Sequence, residues 1–259
     1  MENIARTLRR SLLLSALMLG LSAPALAQDA PPGQQISPDA KALIDRMGAY
    51  LKGLQAYSIE AHGTRDEVLD HGFKLQHNET AWLKVQRPNK MRAEVSGDLK
   101  NREFVYDGKT LTIDNVDDNA YASAPATDDL GKLIGDILDS GAELPLIDVL
   151  YQATAGTLTE NVRTGLVVGD TEIEGVPCTH LVFRQADTDW QLWVEKGDRP
   201  VPRKIVITTL HEVGDPQYSA TLTWNTQPKF DKDAFTYVPD KDAQKVAFVQ
   251  PDAYAAGDK

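Results

Sequence analysis

The chain has 259 residues, of which 42% are hydrophobic, and a formal net charge of −11 at pH 7. Nucleic acid and a permanent membrane anchor are unexpected partners, because an acidic surface repels phosphate backbones and anionic headgroups. Cys178 is the single cysteine, so an intrachain disulfide is excluded.

Residues 1–27 have the features of a secretory signal peptide. Three arginines, the last at Arg10, precede an apolar run from Leu12 to Leu21, and Ala25 and Ala27 suit signal peptidase cleavage after Ala27. The run is too short to span a bilayer, which needs about 20 apolar residues. Cleavage would take the formal charge from −11 to −13. We expect a soluble periplasmic protein with a flexible leader (28–36), one domain (37–250) and a flexible tail (251–259).

A helix is predicted over residues 38–52. Ser37 can cap its first turn, Pro38 suits the first helical position, and Gly53 ends it. Leu43, Met47 and further apolar residues recur at helical spacing, so one face of the helix must be buried.

The period changes to two between Tyr57 and Ile113, as expected for β-strands. Asp107-Gly108 supplies the backbone angles of a tight hairpin between two alternating segments. Short polar turns also separate the other segments, so neighbouring strands should pair in an antiparallel meander.

An aliphatic segment between residues 127 and 152 interrupts the strands. Thr127-Asp128-Asp129 should start one helix, and a second should start at Pro145. Two interpretations remain open: the helices pack permanently on the sheet, or they form a movable lid over it.

Strands resume at Val162 and continue to Trp224, which gives about ten or eleven in all, more than most sheets contain. The helices, roughly 40 residues, cannot cover a flat sheet of this width. The predicted fold is therefore mainly β (α+β): a strongly curved antiparallel sheet, an incomplete β-barrel, with helices plugging the concave side. Trp190 and Trp193, three residues apart, should point to opposite faces.

Motifs for catalysis are not apparent. The five histidines do not show the spacing of zinc ligands, and the chain has neither a nucleophile elbow nor a phosphate loop. We expect no catalytic residues, no metal and no cofactor, and hence a protein that is not an enzyme.

The order of these segments resembles that of a known family. The resemblance is carried by the signal peptide, the helix with Leu43 and Met47, the Arg87-Pro88-Asn89 turn, the Asp107-Gly108 hairpin, the leucine-rich insert and the segment from Phe230 to Tyr237. In this order they are similar to predicted periplasmic proteins of domain of unknown function 2092, which are laid out like the lipoprotein carriers of the Lol system. The resemblance implies a half-barrel with a helical lid over a cavity for acyl chains.

The leading hypothesis is a periplasmic carrier or binding protein for a lipid, a lipoprotein acyl chain or another hydrophobic ligand, exchanged with a membrane-bound donor or acceptor protein. The alternative is a periplasmic sensor or interaction module with a filled core and no transported ligand. The predicted lining residues from the sheet are Leu83, Val85, Met91, Phe104, Tyr106, Leu111, Ile113, Leu192 and Leu222. Those from the lid are Leu133, Ile137, Leu146 and Leu150.

Overall fold

The computed structural model describes residues 33–139 and 145–248. The predicted signal peptide, most of the leader and the tail from residue 251 lie outside these ranges. The helices are α1 (Pro38–Gly53), α2 (Leu130–Asp139) and α3 (Pro145–Ala155). The strands of the first half are β1 (Gln35–Ile36), β2 (Ala56–Val68), β3 (Lys74–Gln86), β4 (Lys90–Gly97), β5 (Arg102–Tyr106), β6 (Thr110–Asn115) and β7 (Ala120–Pro125). Those of the second half are β8 (Thr164–Ile173), β9 (Val176–Arg184), β10 (Thr188–Glu195), β11 (Pro202–Thr209), β12 (Gln217–Asn225) and β13 (Gln244–Lys245).

The thirteen strands of the described ranges form one curved, open sheet. Their order is β1-β8-β9-β10-β11-β12-β2-β3-β4-β5-β6-β7-β13. All neighbours are antiparallel except the two-residue strands at the edges, β1 beside β8 and β13 beside β7, which run parallel to their partners. The predicted mainly β fold, a curved and incomplete barrel, is confirmed.

The strand count is higher than the predicted ten or eleven. Gln35 and Ile36, which lie within the predicted leader, form the short strand β1 beside β8. β7 and β13 were also missed. Conversely, the alternation in residues 73–76 and in residues 81–85 predicts two separate strands, but both segments lie almost entirely within the single strand β3.

The helices cover the concave face. In α1, Ser37 accepts a hydrogen bond from the backbone N–H of Ala40 (3.3 Å), as expected of a cap, and Ile44 and Met47 are buried. Asp129, the last residue of the predicted Thr127-Asp128-Asp129 start, accepts the capping hydrogen bond of α2 from the backbone N–H of Lys132, at 2.7 Å. The three helices form one hydrophobic core with the concave face of the sheet.

The segment after β12 returns along the far side of the first half of the sheet. Tyr237 donates a hydrogen bond to Asp114 of β6 (3.0 Å), its ring lies 5.2 Å from that of Tyr121 in β7, and Phe235 is buried. β13 then covers part of the β7 edge. We call residues 226–245 the C-terminal strap; it reduces the unpaired backbone that the edge strand exposes.

Candidate functional site

The register of β4, β5 and β6 places the predicted lining residues on the concave face. Met91 pairs with Tyr106, and Tyr106 pairs with Leu111. One step along the strands, Phe104 pairs with Ile113. Since paired residues share a face, the two rows form a continuous apolar wall.

The predicted residues of this wall differ in exposure. Tyr106 and Leu111 are buried, whereas Phe104 and Ile113 are half-buried and pack at the border of the core. Tyr106 also donates a hydrogen bond to the backbone carbonyl of Thr127, at 2.5 Å. The half-buried pair is therefore the accessible part of the wall.

Leu192 and Leu222 lie on the same concave face in the second half of the sheet. Leu192 pairs with Leu181 and Ile205, Leu222 pairs with Ala61, and both leucines are 0% exposed. Their side chains are completely enclosed in the core.

The aliphatic helices pack down on the wall. Leu133, Leu146 and Leu150 are buried, and Ile137 is half-buried. Between the helices and the sheet there is a gap of about 40 Å³, and its lining includes Leu83, Val85, Met91 and Leu150. This is the volume of about one water molecule, so the gap cannot take an acyl chain while the helices stay in place.

A larger pocket opens further along the concave face, with a volume of about 650 Å³. Sequence reasoning did not identify it, because its lining comes from strands and helices that are distant in the chain. Its apolar lining residues are Leu138, Val149, Leu158, Trp190, Ile207, Pro216 and Tyr218. Its polar lining residues are Arg65, Asp66, Asp139, Asp148, Gln152, Gln185, Thr188, Thr209, Glu212 and Gln217.

Trp190, whose side chain is predicted to point to the face opposite that of Trp193, lines the open pocket. It is 4% exposed and stacks on Phe183, with ring centroids 4.0 Å apart. Trp193 lies on the opposite face and stacks on His180, also at 4.0 Å. The predicted opposition of the two tryptophans is confirmed.

Polar groups surround Tyr218 at one side of the pocket. The Arg65 guanidinium carbon lies 5.6 Å from the centroid of the Tyr218 ring, which makes a cation–π contact. Burial, and after it the negative charge of Glu79, raises the pKa of the Tyr218 phenol. The phenol therefore stays protonated and neutral at physiological pH.

Arg92 lies on the outer face, as its place in the alternation predicts. It forms ion pairs with Glu94 (3.1 Å) and Glu103. Burial of Glu103, opposed in part by Arg92, raises the pKa of that carboxyl group. Arg65, by contrast, is an arginine that reaches the pocket from the concave side.

No group of three or more His, Cys, Asp or Glu residues in the described ranges is placed to hold a metal ion. Cys178 is buried, and burial raises the pKa of its thiol. Within the described chain, no helix is both long and apolar enough to cross a membrane.

A family model described as "Predicted periplasmic protein (DUF2092)" matches residues 40–249. The chain belongs to this family. No curated protein matches the sequence. The DUF2092 match covers α2, α3, α1 from Ala40 onward, the open pocket and all thirteen predicted lining residues.

Solved structures with a similar layout share little sequence with this DUF2092 protein. An uncharacterized conserved protein from Thermus thermophilus is 16% identical, with 81% of this chain and 99% of that chain covered and a TM-score of 0.46. Lipoprotein LppX from Mycobacterium tuberculosis is 14% identical, with 75% and 100% covered and a TM-score of 0.46. A LolA superfamily protein from Nitrosomonas europaea is 11% identical, with 76% and 97% covered and a TM-score of 0.34.

Proposed function

We propose that this protein is a periplasmic carrier or binding protein for a lipid, a lipoprotein acyl chain or another hydrophobic ligand. The observation that carries the proposal is the open pocket of about 650 Å³ on the concave face. Its volume falls within the range of small-molecule sites, which are about 300–1,000 Å³. Trp190, Ile207 and Val149 give it an apolar wall next to a polar rim.

Burial of hydrocarbon supplies the binding energy in this proposal. Each CH₂ group removed from water contributes about 0.8 kcal/mol, so a long acyl chain needs few polar contacts. The polar rim would then orient the polar end of the ligand. Such binding requires neither a cofactor nor a metal.

The thirteen predicted lining residues enter the proposal through a movement of the helices. Leu83, Val85 and Met91 face a gap of only about 40 Å³ beneath α2 and α3. A ligand that reached them would have to displace these helices from the sheet. Half-buried Phe104, Ile113 and Ile137 would be the first to meet it.

Membership of a family of predicted periplasmic proteins supports the compartment. Cleavage of the signal peptide after Ala27 belongs to the same proposal, and N-terminal sequencing of the exported protein tests it. A membrane-bound donor or acceptor protein would supply or receive the ligand.

The first experiment is organic extraction of the purified protein followed by mass spectrometry, together with titration of a fluorescent fatty acid. Ile207→Trp should fill the pocket and weaken binding of the probe by about tenfold or more. Val206→Trp is the matched control, because Val206 is the next residue of β11 and points to the opposite face. An extract without lipid, combined with no binding of the probe, would refute the proposal.

The close packing of α2 and α3 favours a second candidate, a sensor or interaction module that carries no ligand. Its distinguishing result is a protein partner retained by the wild type and lost in a folded Leu150→Asp variant. The module also predicts that neither Ile207→Trp nor Val206→Trp changes the amount of extracted lipid.

A further inference from the structure

Four large apolar side chains are exposed together at one end of the sheet. The hairpin between β2 and β3 presents Leu69 (40% exposed), Phe73 (69%) and Leu75 (41%), and the turn between β11 and β12 presents Val213 (74%). Single exposed apolar residues are ordinary, but a cluster of them marks a contact surface. We call these four residues the apolar tip.

The register makes the hairpin project beyond its neighbours. β3 pairs with β4 only from Glu79 onward, and β2 pairs with β12 only as far as Arg65. Beyond these points the strand pairing of the hairpin is between β2 and β3 only, although Asn78 also bonds Asp98 and Asp66 accepts a hydrogen bond from the Gln217 N–H. The turn of the hairpin is closed by a hydrogen bond from the Leu69 N–H to the Phe73 carbonyl, at 2.9 Å.

The two parts of the apolar tip lie side by side. A Cβ atom on Gly214, next to Val213, would stand 3.4 Å from the side chain of Val68 and 3.9 Å from that of Lys74. The turn that carries Val213 therefore lies against the hairpin that carries Leu69, Phe73 and Leu75.

The apolar tip also adjoins the open pocket. Arg65 and Asp66 line the pocket from the base of the hairpin, and Glu212 lines it from the turn that carries Val213. A surface that contacted the apolar tip would lie next to the mouth of the pocket. A hydrophobic ligand could pass between that surface and the pocket with little exposure to water.

The charged residues near the apolar tip limit the kind of surface that the tip can contact. Residues 69–75 contain Asp70 and Lys74, so this segment is formally neutral in a chain of net charge −11. Glu212 and Asp215 make the adjacent turn acidic. An anionic surface would be repelled, whereas an uncharged one could accept the apolar side chains.

We propose that the apolar tip inserts reversibly into the interface of a zwitterionic lipid bilayer and thereby holds the mouth of the pocket against the membrane. Phe and Leu side chains that enter the boundary between headgroups and acyl chains give weak, reversible attachment. This inference goes beyond ligand binding, because it concerns where the ligand is exchanged.

The experiment is co-sedimentation of the purified protein with phosphatidylcholine vesicles, with and without added phosphatidylglycerol. The double variant Phe73→Ser/Val213→Ser should lower the partition coefficient by about tenfold or more, since two apolar side chains lose their burial. Val238→Ser is the matched control, because Val238 is 76% exposed but lies in the C-terminal strap. Added phosphatidylglycerol should weaken binding of the wild type at low salt.

A second measurement does not depend on loss of function. Phe73→Trp should show a blue shift of its fluorescence when phosphatidylcholine vesicles are added, and Val238→Trp should not. Absence of vesicle binding by the wild type, or equal binding by the double variant, overturns the inference. Titration of the fluorescent fatty acid without vesicles tests the ligand pocket separately, and the double variant should bind this probe as the wild type does.

Discussion

Gly48 of α1 lies directly against the backbone carbonyl oxygen of Ala153 in α3. A Cβ atom at position 48 would stand 2.3 Å from that oxygen, far inside the contact distance. Because the obstacle is backbone rather than a flexible side chain, the two helices can touch here only if residue 48 is glycine.

Gly48→Ala should therefore force α1 and α3 apart. We expect the free energy of unfolding to fall by about 1–3 kcal/mol, the usual cost of overpacking, measured by urea denaturation. Gly53→Ala is the control, since a Cβ there meets no atom within 4 Å. Alanine favours helix, so this control should be neutral or slightly stabilising. Equal stability of both variants would contradict the close contact.

The assignment of strand faces can be tested with two leucines. Leu192→Ala empties a site that is 0% exposed and should cost about 2–5 kcal/mol. Leu166→Ala removes a side chain that is 43% exposed and should change stability by less than about 0.5 kcal/mol. Thermal and urea denaturation measure both. Similar losses would show that the concave and outer faces are assigned wrongly.

How well each element of the fold can be predicted depends on how clearly its own residues mark it in the sequence. Asp107 and Gly108 form the predicted hairpin because the Asp107 carboxylate accepts hydrogen bonds from the backbone N–H groups of Lys109 (2.9 Å) and Thr110 (2.8 Å). This signal is local in sequence. β7 was missed because Ala120, Ala122 and Ala124 give hardly any contrast in hydrophobicity with their neighbours.

The candidate site was less predictable than the fold. Alternation correctly places Met91 and Leu111 on the concave face, but it cannot tell an enclosed residue from one beside an open space. Arg65 and Ile207 meet at the pocket only because β2 and β11 both flank β12. That neighbourhood depends on long-range strand pairing, which a single sequence does not reveal.

Acid should weaken the contact between Asp189 and Arg184. The Arg184 side chain donates hydrogen bonds to both Asp189 oxygens, at 2.7 and 2.5 Å, and these lower the pKa of the Asp189 carboxyl group. A lowered pKa means that the contribution is present above the unfolded-state pKa of about 3.9 and is lost as pH falls through the folded-state value. Arg184 is largely exposed to solvent, which screens the pair, so we expect only a small contribution to stability.

Asp189→Asn should accordingly be less stable than the wild type at pH 7 and equally stable at pH 2. Urea denaturation at both pH values measures this. Arg184→Gln should reproduce the effect, and the double variant should add little to either single change. A deficit that persisted unchanged at pH 2 would point to a cause other than ionisation.

Alkaline pH should destabilise the protein through Tyr218. Its raised pKa means that folding holds the proton more tightly than the unfolded chain does, so stability is complete below about pH 10 and falls as pH rises further. Tyr218→Phe removes this titration and should flatten the decline of the urea midpoint between pH 9 and 11. Burial raises the pKa of Tyr57 and Tyr237 in the same direction, so part of the decline should remain. An unchanged slope would contradict the role of Tyr218.

The pairing of β12 with β2 determines the order in which the sheet can be completed. It places Leu222 opposite Ala61, so β2, the first long strand, cannot pair on this side until β12, the last long strand, has formed. Pairings between such distant segments form slowly, because a long loop must close before they gain any stability. A growing or translocating chain can build each half of the sheet from local hairpins, but its centre stays open until nearly the whole sequence has arrived.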